Sequence, residues 1–148
     1  METQSQTSSE CVCAILRRAA RSLTNVYDKA LAPSGLRVTQ LNMLNVLYRN
    51  SVASVTQVSE LLGLDQTTAT RNLIVLEDSG FIERVVHHDP RVKLLKLTDK
   101  GKKKLQTGVL YWQGIQKQIK SSLSEQEWTD FRTTLAKIEG MASSAELG

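Results

Sequence analysis

The sequence lacks any long hydrophobic run. No apolar stretch among its 148 residues approaches the roughly 18 residues that a helix needs to cross a bilayer. The first ten residues, METQSQTSSE, also lack the basic start and the apolar stretch of a secretory signal peptide. We therefore expect a cytoplasmic protein without a membrane-spanning helix.

The motifs that mark common enzymes are missing as well. The chain contains no glycine-rich phosphate-binding loop, no His-Glu-x-x-His metal motif and no Ser-His-Asp arrangement. Its two histidines are adjacent, at His87 and His88, and do not by themselves indicate an active site. We therefore predict that the protein is not an enzyme.

Positive charge is modest in total but unevenly placed. The chain has a formal net charge of +4. Residues 66–104 contain nine Lys and Arg against five Asp and Glu, whereas the segments on either side nearly balance. Clustered positive charge is typical of a surface that binds phosphates. The alternative is an ordinary solvated charge run, since the three lysines at 102–104 alone would mean little.

Apolar periodicity, helix caps and turn residues predict a mainly α fold with a small β-hairpin wing. The predicted helices cover about 10–31, 38–49, 54–62, 66–79, 98–121 and 125–144. Two strands are predicted over 81–86 and 93–97, with a turn over 87–92. The predicted caps are Ser8 or Ser9, Ser54 with Gln57, Asp65, Thr98, and Ser124 with Glu127.

Residues 56–71, TQVSELLGLDQTTATR, are typical of a helix-turn-helix. Gly63 suits the left-handed conformation that ends the first helix, and Asp65 caps the second. Ala69 and Leu73 lie on the apolar face of the second helix. The opposite face is polar and comprises Gln66, Thr67, Thr70 and Arg71. Such a face is suited to contact with a polar partner, and the hairpin that follows makes the unit a winged helix-turn-helix.

The helices outside this unit have apolar faces without an evident partner. Helix five carries Val109, Leu110, Trp112, Ile115 and Ile119. Pairing with helices one and six, and with a second chain, would cover them. We therefore expect an N-terminal dimerisation helix in 1–35, a DNA-binding winged helix-turn-helix in 36–97 and C-terminal dimerisation helices in 98–148. The N- and C-terminal helices together form a homodimerisation domain.

Several motifs, in this order and with these gaps, resemble the MarR family of bacterial transcriptional regulators. They are LLGLDQTTATRNL at 61–73, LEDSGFIER at 76–84, DPR at 89–91 and LTDKG at 97–101. The similarity covers about residues 12–142. Leu36 and Gln40 also match the family's second helix, whereas Arg37 stands where a Thr or Ser cap is usual. The resemblance implies a symmetric homodimer that binds pseudo-palindromic promoter DNA, with recognition helices in successive major grooves and wings in the flanking minor grooves.

The polar helix face predicts the contacts to the major groove. Gln66 can pair bidentately with adenine, and a Thr methyl can pack on the thymine methyl. Thr67 and Thr68 are more suited to phosphates at the helix N-terminus, Arg71 to guanine or phosphate, and Asn72 to a backbone bond in the core. The predicted DNA-binding residues are Thr56, Gln66, Thr67, Thr68, Thr70, Arg71, His88, Asp89, Arg91 and Lys93.

In the wing, Asp89 and Arg91 lie two residues apart at the hairpin tip. The carboxylate can hold the guanidinium in one orientation, so that Arg91 enters a narrow minor groove. The alternative is that Asp89 simply starts the turn before Pro90. Because adjacent strand residues face opposite sides, we do not expect His87 and His88 to bind one metal. We expect one of them to be exposed near DNA and the other to be structural.

Cys11 and Cys13 begin helix one, which in the MarR family lies in the dimer interface. Three interpretations stay open. The thiols are buried and inert, or a thiolate is oxidised to a disulfide, or both subunits together supply four thiolates to zinc or an iron–sulfur cluster. A disulfide within one chain is not expected, because residues i and i+2 of a helix point about 200° apart.

Members of the family commonly bind small aromatic or anionic effectors between the dimer domain and the DNA-binding lobes. The candidate lining residues are Tyr27, Met43, Tyr48, Tyr111 and Trp112. Aromatic residues at helical spacing are more often plain core. Two alternative functions stay open. One is an effector-responsive regulator with inert cysteines, and the other is a winged helix that binds a protein instead of DNA. We expect a repressor where its site overlaps a promoter.

Overall fold

The structure, a computed structural model, describes residues 10–144. Its elements are α1 (Val12–Leu31), a 3-10 turn (Ala32–Ser34), α2 (Val38–Asn50), β1 (Ala53–Ser54), α3 (Val55–Leu62), α4 (Gln66–Asp78), β2 (Ile82–Val85), β3 (Leu94–Leu97), α5 (Asp99–Ser121) and α6 (Glu125–Ser143). Two compact units divide after Trp112. The mainly α class with a β-hairpin is confirmed, and the division into dimerisation and DNA-binding segments stays a prediction.

The first helix begins later than its apolar pattern predicts. Its N-cap is Cys11, which has an extended backbone (φ −67°, ψ 114°) and makes no capping bond with its side chain. The predicted caps Ser8 and Ser9 lie outside the described residues. The helix ends in the 3-10 turn, after which Gly35 takes a left-handed conformation (φ 72°) that a glycine adopts without strain.

Helix α2 begins at Val38 although Arg37 cannot cap it. A guanidinium has no acceptor atom, so the free N–H groups at this end need oxygens from elsewhere. The side chain of Asp28 in α1 accepts from the Val38 N–H over 2.8 Å, and Gln40 Oε1 accepts from the Arg37 N–H over 3.1 Å. A carboxylate supplied by the preceding helix thus replaces the usual Thr or Ser cap.

The helix-turn-helix is closed by local bonds that the sequence predicts. Ser54 and Gln57 form the predicted capping box of α3. Gly63 ends that helix with φ 62°, and the Leu64 N–H then donates to the Ser59 carbonyl over 2.9 Å. The tight turn directs α4 across α3, and Leu64 packs against the core.

The wing belongs to a three-stranded antiparallel sheet in the order β1-β3-β2. In β2 and β3, Ile82 pairs with Leu97 and Val85 pairs with Leu94. The predicted strand over 81–86 is therefore one residue too long at each end, and the one over 93–97 begins one residue early. Strand β1 was not predicted, because its two residues have no pattern of their own and exist as a strand only through pairing with β3.

The core of the first unit lies where α2, α3, α4 and the sheet meet. Its largest enclosed side chains are Leu31, Met43, Leu44, Leu47, Val58, Leu76 and Ile82. Helix α5 joins this core through Leu105, and Val109 and Trp112 pack against it. Thr98 accepts from the Gly101 N–H over 3.0 Å, as predicted for a cap, and also donates to the Gly80 carbonyl over 2.6 Å. These bonds fix the start of α5 to the turn that follows α4.

The second unit runs from Gln113 and contains the end of α5 and all of α6. Ser124 and Glu127 form the predicted capping box of α6. Trp128 stacks on Phe131 at 6.0 Å between ring centroids, yet α6 contains no buried residue. Among the described residues, no helix combines the length and the apolar character that crossing a membrane requires.

Candidate nucleic-acid interface

Helix α4 presents an exposed polar face. Ala69, Leu73 and Leu76 are buried against the core, and this burial determines which way the remaining side chains point. Gln66, Thr67, Thr70 and Arg71 are all exposed. They share one surface depression with Ile74. The structure thus brings together the four residues that the sequence predicts for the outer face of this helix.

Thr68 is placed differently from its neighbours on α4. Asp65 accepts both the Thr68 N–H over 2.8 Å and the Thr68 hydroxyl over 2.7 Å. These bonds hold the pKa of Asp65 below its usual value. The Thr68 proton is therefore used inside the helix cap and is not directed outward. Asn72, half-buried, donates to the Thr68 carbonyl over 3.0 Å, which is the backbone bond expected from the sequence.

The two helices of the helix-turn-helix are also joined through their polar faces. Gln66 Nε2 donates to Thr56 Oγ1 over 3.0 Å, and both side chains are exposed. The bond orients the Gln66 amide and leaves its Oε1 free of that contact. Thr56 therefore lies beside the α4 face, as expected for a residue of the same surface.

The wing tip holds Arg91 in a defined orientation. Asp89 Oδ1 accepts from the Arg91 N–H over 2.9 Å and from Nε over 3.1 Å, while Oδ2 accepts from Nη2 over 3.1 Å. These bonds lower the pKa of Asp89. The Arg91 side chain is nevertheless 89% exposed. Asp89 also begins a turn, because its carbonyl accepts from the Val92 N–H over 3.1 Å. It therefore both starts the turn and holds the Arg91 guanidinium, while the contact of Arg91 with DNA stays a prediction.

The two histidines lie beyond the end of β2 and not within a strand. Their rings lie side by side in a tilted arrangement, with centroids 4.1 Å apart and an angle of 32° between the planes. The expectation that they face opposite sides is therefore wrong, because strand alternation does not extend into the turn. His87 is half-buried and its Nδ1 accepts from the Asp89 N–H over 3.1 Å, whereas His88 is exposed. One histidine thus supports the wing turn and the other is at its surface.

A groove separates α4 from the wing. It has a volume of about 470 Å³ and receives residues from both sides. Gln66 and Thr70 line it from α4, while Arg91 and Lys93 line it from the wing. Lys93 is exposed. The groove therefore joins the two predicted contact regions into one surface.

Glu77 and Arg84, to which the sequence pattern assigned no role, also line this groove. Arg84 Nε donates to Glu77 Oε1 over 2.8 Å, and Nη2 donates to Oε2 over 3.3 Å. The bond to Glu77 raises the pKa of Arg84. Both residues stand in the quoted LEDSGFIER motif, seven positions apart across the Gly80 turn. Opposite charges on either side of a helix-to-strand turn were the available signal, but sequence spacing alone does not show that they meet.

Both cysteines are exposed and free of disulfides in the described chain. Cys11 is extended and precedes α1, and Cys13 lies in its first turn. The helical argument against a disulfide between them therefore does not apply, because only one of the two residues is helical. Within residues 10–144, no group of three or more His, Cys, Asp or Glu side chains is arranged to hold a metal ion.

The candidate effector residues occupy different environments. Met43 is completely enclosed in the core, whereas Tyr48 is 61% exposed. Tyr48 lines a surface cavity of about 920 Å³ together with Arg49, Lys96 and Lys102. Tyr111 is exposed, Trp112 packs against the core, and burial raises the pKa of Tyr27. Met43 is thus a core residue within one chain, and the effector pocket stays a prediction.

Comparisons with known proteins identify this arrangement. The model of the MarR family matches residues 34–91, which include the helix-turn-helix and the wing tip. The transcriptional regulator MosR of M. tuberculosis, solved in complex with DNA, is 36% identical, with alignment over 91% of this chain and 98% of MosR and a TM-score of 0.81. The HTH-type transcriptional regulator PecS of Dickeya dadantii (strain 3937) is 26% identical over 132 residues, which are 86% of this chain and 80% of PecS.

The fold itself extends to more distant proteins. A mutant MarR from E. coli, complexed with operator DNA, is 20% identical and aligns over 89% of this chain and 96% of its own, with a TM-score of 0.78. The order of motifs along the sequence points to the same family as the shared fold, the matched family segment and the identity with MosR. The chain therefore belongs to the MarR family of winged helix-turn-helix transcriptional regulators, which are DNA-binding proteins and not enzymes.

Proposed function

We propose that two copies of this chain form a regulator that binds pseudo-palindromic promoter DNA. In each copy, α4 enters a major groove and the wing tip enters the neighbouring minor groove. The observation that carries the proposal is the single groove surface, on which the exposed face of α4 and the Asp89-held Arg91 lie together. Two of the related proteins described above were solved with DNA bound.

The side chains divide between reading bases and holding phosphates. Gln66 and Thr70 are short enough to let the helix approach base edges, and a Gln amide can pair with adenine. Thr67 is exposed in the first turn of α4, and its hydroxyl is suited to a phosphate. Arg71 and Lys93 add positive charge, and Arg91 is presented at the tip for the enhanced negative potential of a narrow minor groove.

The proposed second copy is supported by exposed apolar surface. In α1, Val12, Ile15, Leu23 and Val26 are each between 40% and 56% exposed. Helix α6 has no buried residue although it carries Phe131 and Met141. Burying such faces against an identical chain removes them from water and produces two-fold symmetry. A two-fold dimer predicts half-sites whose centres lie about 34–36 Å apart, or a multiple of that distance.

Titration of the DNA upstream of the protein's own gene provides the test. Fluorescence anisotropy should show a preference for that DNA over a shuffled fragment, and an affinity that falls steeply with salt because each phosphate contact releases counterions. Sedimentation of the complex should give two chains per site. Equal affinity for both fragments, or no salt dependence, would contradict the proposal and favour a winged helix that binds a protein. Repression is tested separately with a reporter gene behind the same fragment.

We further propose that the signal to the regulator enters at Cys11 and Cys13. Both thiols are exposed on the single described chain, as ligation or a disulfide to a second copy requires. In the redox version, one hydrogen peroxide oxidises two thiols to one disulfide and is itself reduced to two waters, which take up the two thiol hydrogens. The alternative chemistry is a metal or an iron–sulfur cluster held by the thiolates of both subunits.

Anaerobically purified protein distinguishes these chemistries. Visible absorption bands and bound iron would identify a cluster, and bound zinc without visible bands would identify a metal site. Loss of two free thiols after peroxide, together with release from DNA, would identify a disulfide. If the Cys11→Ser and Cys13→Ser variants respond to oxidant and chelator as the unaltered protein does, the cysteines are inert. A small aromatic effector is then the remaining source of the signal.

A further inference from the structure

The bidentate contact between Glu77 and Arg84 connects α4 to the wing. We propose that this ion pair is a positioning element for DNA binding. It fixes the separation and angle between α4 and the wing, so that the polar helix face and Arg91 reach their grooves at the same time. The inference rests on the proposed function, since it assigns a role within that same DNA-binding surface.

The geometry suits this role. Glu77 is in the last turn of α4, and Arg84 lies within β2, the strand that leads to the wing tip. Two parallel bonds of 2.8 and 3.3 Å define direction as well as distance, because the guanidinium and carboxylate are planar groups that meet edge to edge. The pair also lines the groove between α4 and Arg91. A change in its length would therefore alter the width of that groove.

The exposure of the pair argues against a mainly stabilising role. The Arg84 side chain is 59% exposed and that of Glu77 is 30% exposed. Exposed ion pairs contribute little to the free energy of folding. Docking is more sensitive, because two contact regions on one rigid body must match DNA together, and small displacements of either region weaken both.

The charge of Glu77 makes the role testable by the sign of the effect. A carboxylate on a DNA-facing groove repels phosphates, so electrostatics alone predicts that Glu77→Gln strengthens DNA binding. Electrostatics alone also predicts that Arg84→Gln weakens binding and that Arg84→Lys leaves it unchanged. A positioning role predicts that all three substitutions weaken binding, since each removes the bidentate geometry.

The matched control lies in the same hairpin. Glu83 pairs with Lys96 over 3.1 Å, and the two side chains are about half exposed. This pair connects β2 to β3 and does not reach α4. Glu83→Gln therefore removes one exposed negative charge from the wing, as Glu77→Gln does, without releasing the wing from the helix. It should bind DNA as tightly as the unaltered protein, or more tightly.

The experiment measures affinity for the upstream DNA fragment at one fixed salt concentration. We expect Glu77→Gln and Arg84→Lys each to weaken binding by roughly two- to thirtyfold, the range found for residues that couple two sites without touching a ligand. Arg91→Ala should lower the DNA affinity by a smaller factor in the Glu77→Gln variant than in the unaltered protein, because the wing of that variant is no longer held at a fixed distance from α4. Circular dichroism and unfolding midpoints check that each variant is folded.

The outcomes separate this inference from the proposed function. Suppose that the unaltered protein prefers the fragment and that Arg91→Ala lowers the affinity for it. If the Glu77→Gln variant then binds the fragment at least as tightly as the unaltered protein, the positioning role is overturned and the proposed function stands. Additive effects of Glu77→Gln and Arg91→Ala would overturn it too. If Glu77→Gln does not fold, Arg84→Lys decides, because it keeps the charge. Failure of the unaltered protein to prefer the fragment would refute the proposed function itself.

Discussion

Substitution of Gly101 by alanine should destabilise the protein, because α5 passes close to the backbone of Phe81. A Cβ at Gly101 would lie 2.8 Å from the Phe81 carbonyl carbon and closer still to its oxygen, whereas ordinary contacts begin at 3.4 Å. Neither partner is a side chain that can rotate away. The start of α5 or the segment before β2 must therefore move, and this strains the bond of 3.1 Å from the Thr98 N–H to the Phe81 carbonyl.

The magnitude follows from two opposing terms. Overpacking of a close contact costs typically 1–3 kcal/mol, and a contact with rigid backbone belongs at the upper end. Alanine is favoured over glycine in a helix by up to about 1 kcal/mol. We therefore expect Gly101→Ala to lower the free energy of unfolding by about 2 kcal/mol.

Gly114, in the same helix, provides the matched control. A Cβ there meets nothing within 4 Å, so Gly114→Ala should change stability only through helix propensity, in the stabilising direction and by at most about 1 kcal/mol. Urea unfolding followed by circular dichroism, at one fixed chain concentration because a dimer's stability depends on it, measures both variants. Equal shifts for the two variants would refute the close-contact argument.

Three further predictions concern the caps and the wing. Asp28→Ala should lower stability by about 1 kcal/mol, the usual effect of losing a helix cap, and Asn at the same position should restore most of it in the same urea assay. The pKa of Asp65 is lowered in the folded protein. Its contribution to the free energy of unfolding is therefore present above the ordinary carboxyl pKa of about 3.9 and is lost as the pH falls through the lower folded value. The unfolding midpoint of Asp65→Asn should depend less on pH in the acid range than that of the unaltered protein. Arg91→Ala should weaken DNA binding by about 1–3 kcal/mol, measured by anisotropy, and unchanged affinity would show that the wing does not engage DNA.

Local signals in the sequence predicted much of the fold. The capping boxes at Ser54 and Ser124, and the left-handed Gly63, depend on residues within three or four positions of one another. Their energetics are therefore contained in a short segment, and tertiary packing does not override them. The buried face of α4 was predicted for a related reason, since periodicity alone decides which side chains point inward.

Contacts between residues that are far apart in the sequence could not be predicted from it. The cap of α2 comes from Asp28, ten residues before the N–H group that it accepts. Strand β1 is defined by pairing of Ala53 with Leu95 and of Ser54 with Leu94, far along the chain. In both cases the partner is selected by the folded arrangement of helices, and a single sequence contains no local pattern that identifies it. The prediction for His87 and His88 was wrong for another reason, because the rule that adjacent strand residues face opposite sides does not hold beyond the end of β2.

The same distinction explains why the exposed polar residues of α4 and the wing were easier to predict than the distance between them. A polar face on a helix follows from the apolar face opposite, and the Asp89–Arg91 contact spans only two residues. The distance between the helix and the wing is instead set across the Gly80 turn, where φ is 75°, and by the bonds of Arg84 to Glu77. In the proposed complex, recognition of DNA by both regions at once depends on that distance. A sequence can therefore indicate which side chains are available to DNA before it indicates whether they are held at a separation that DNA can accept.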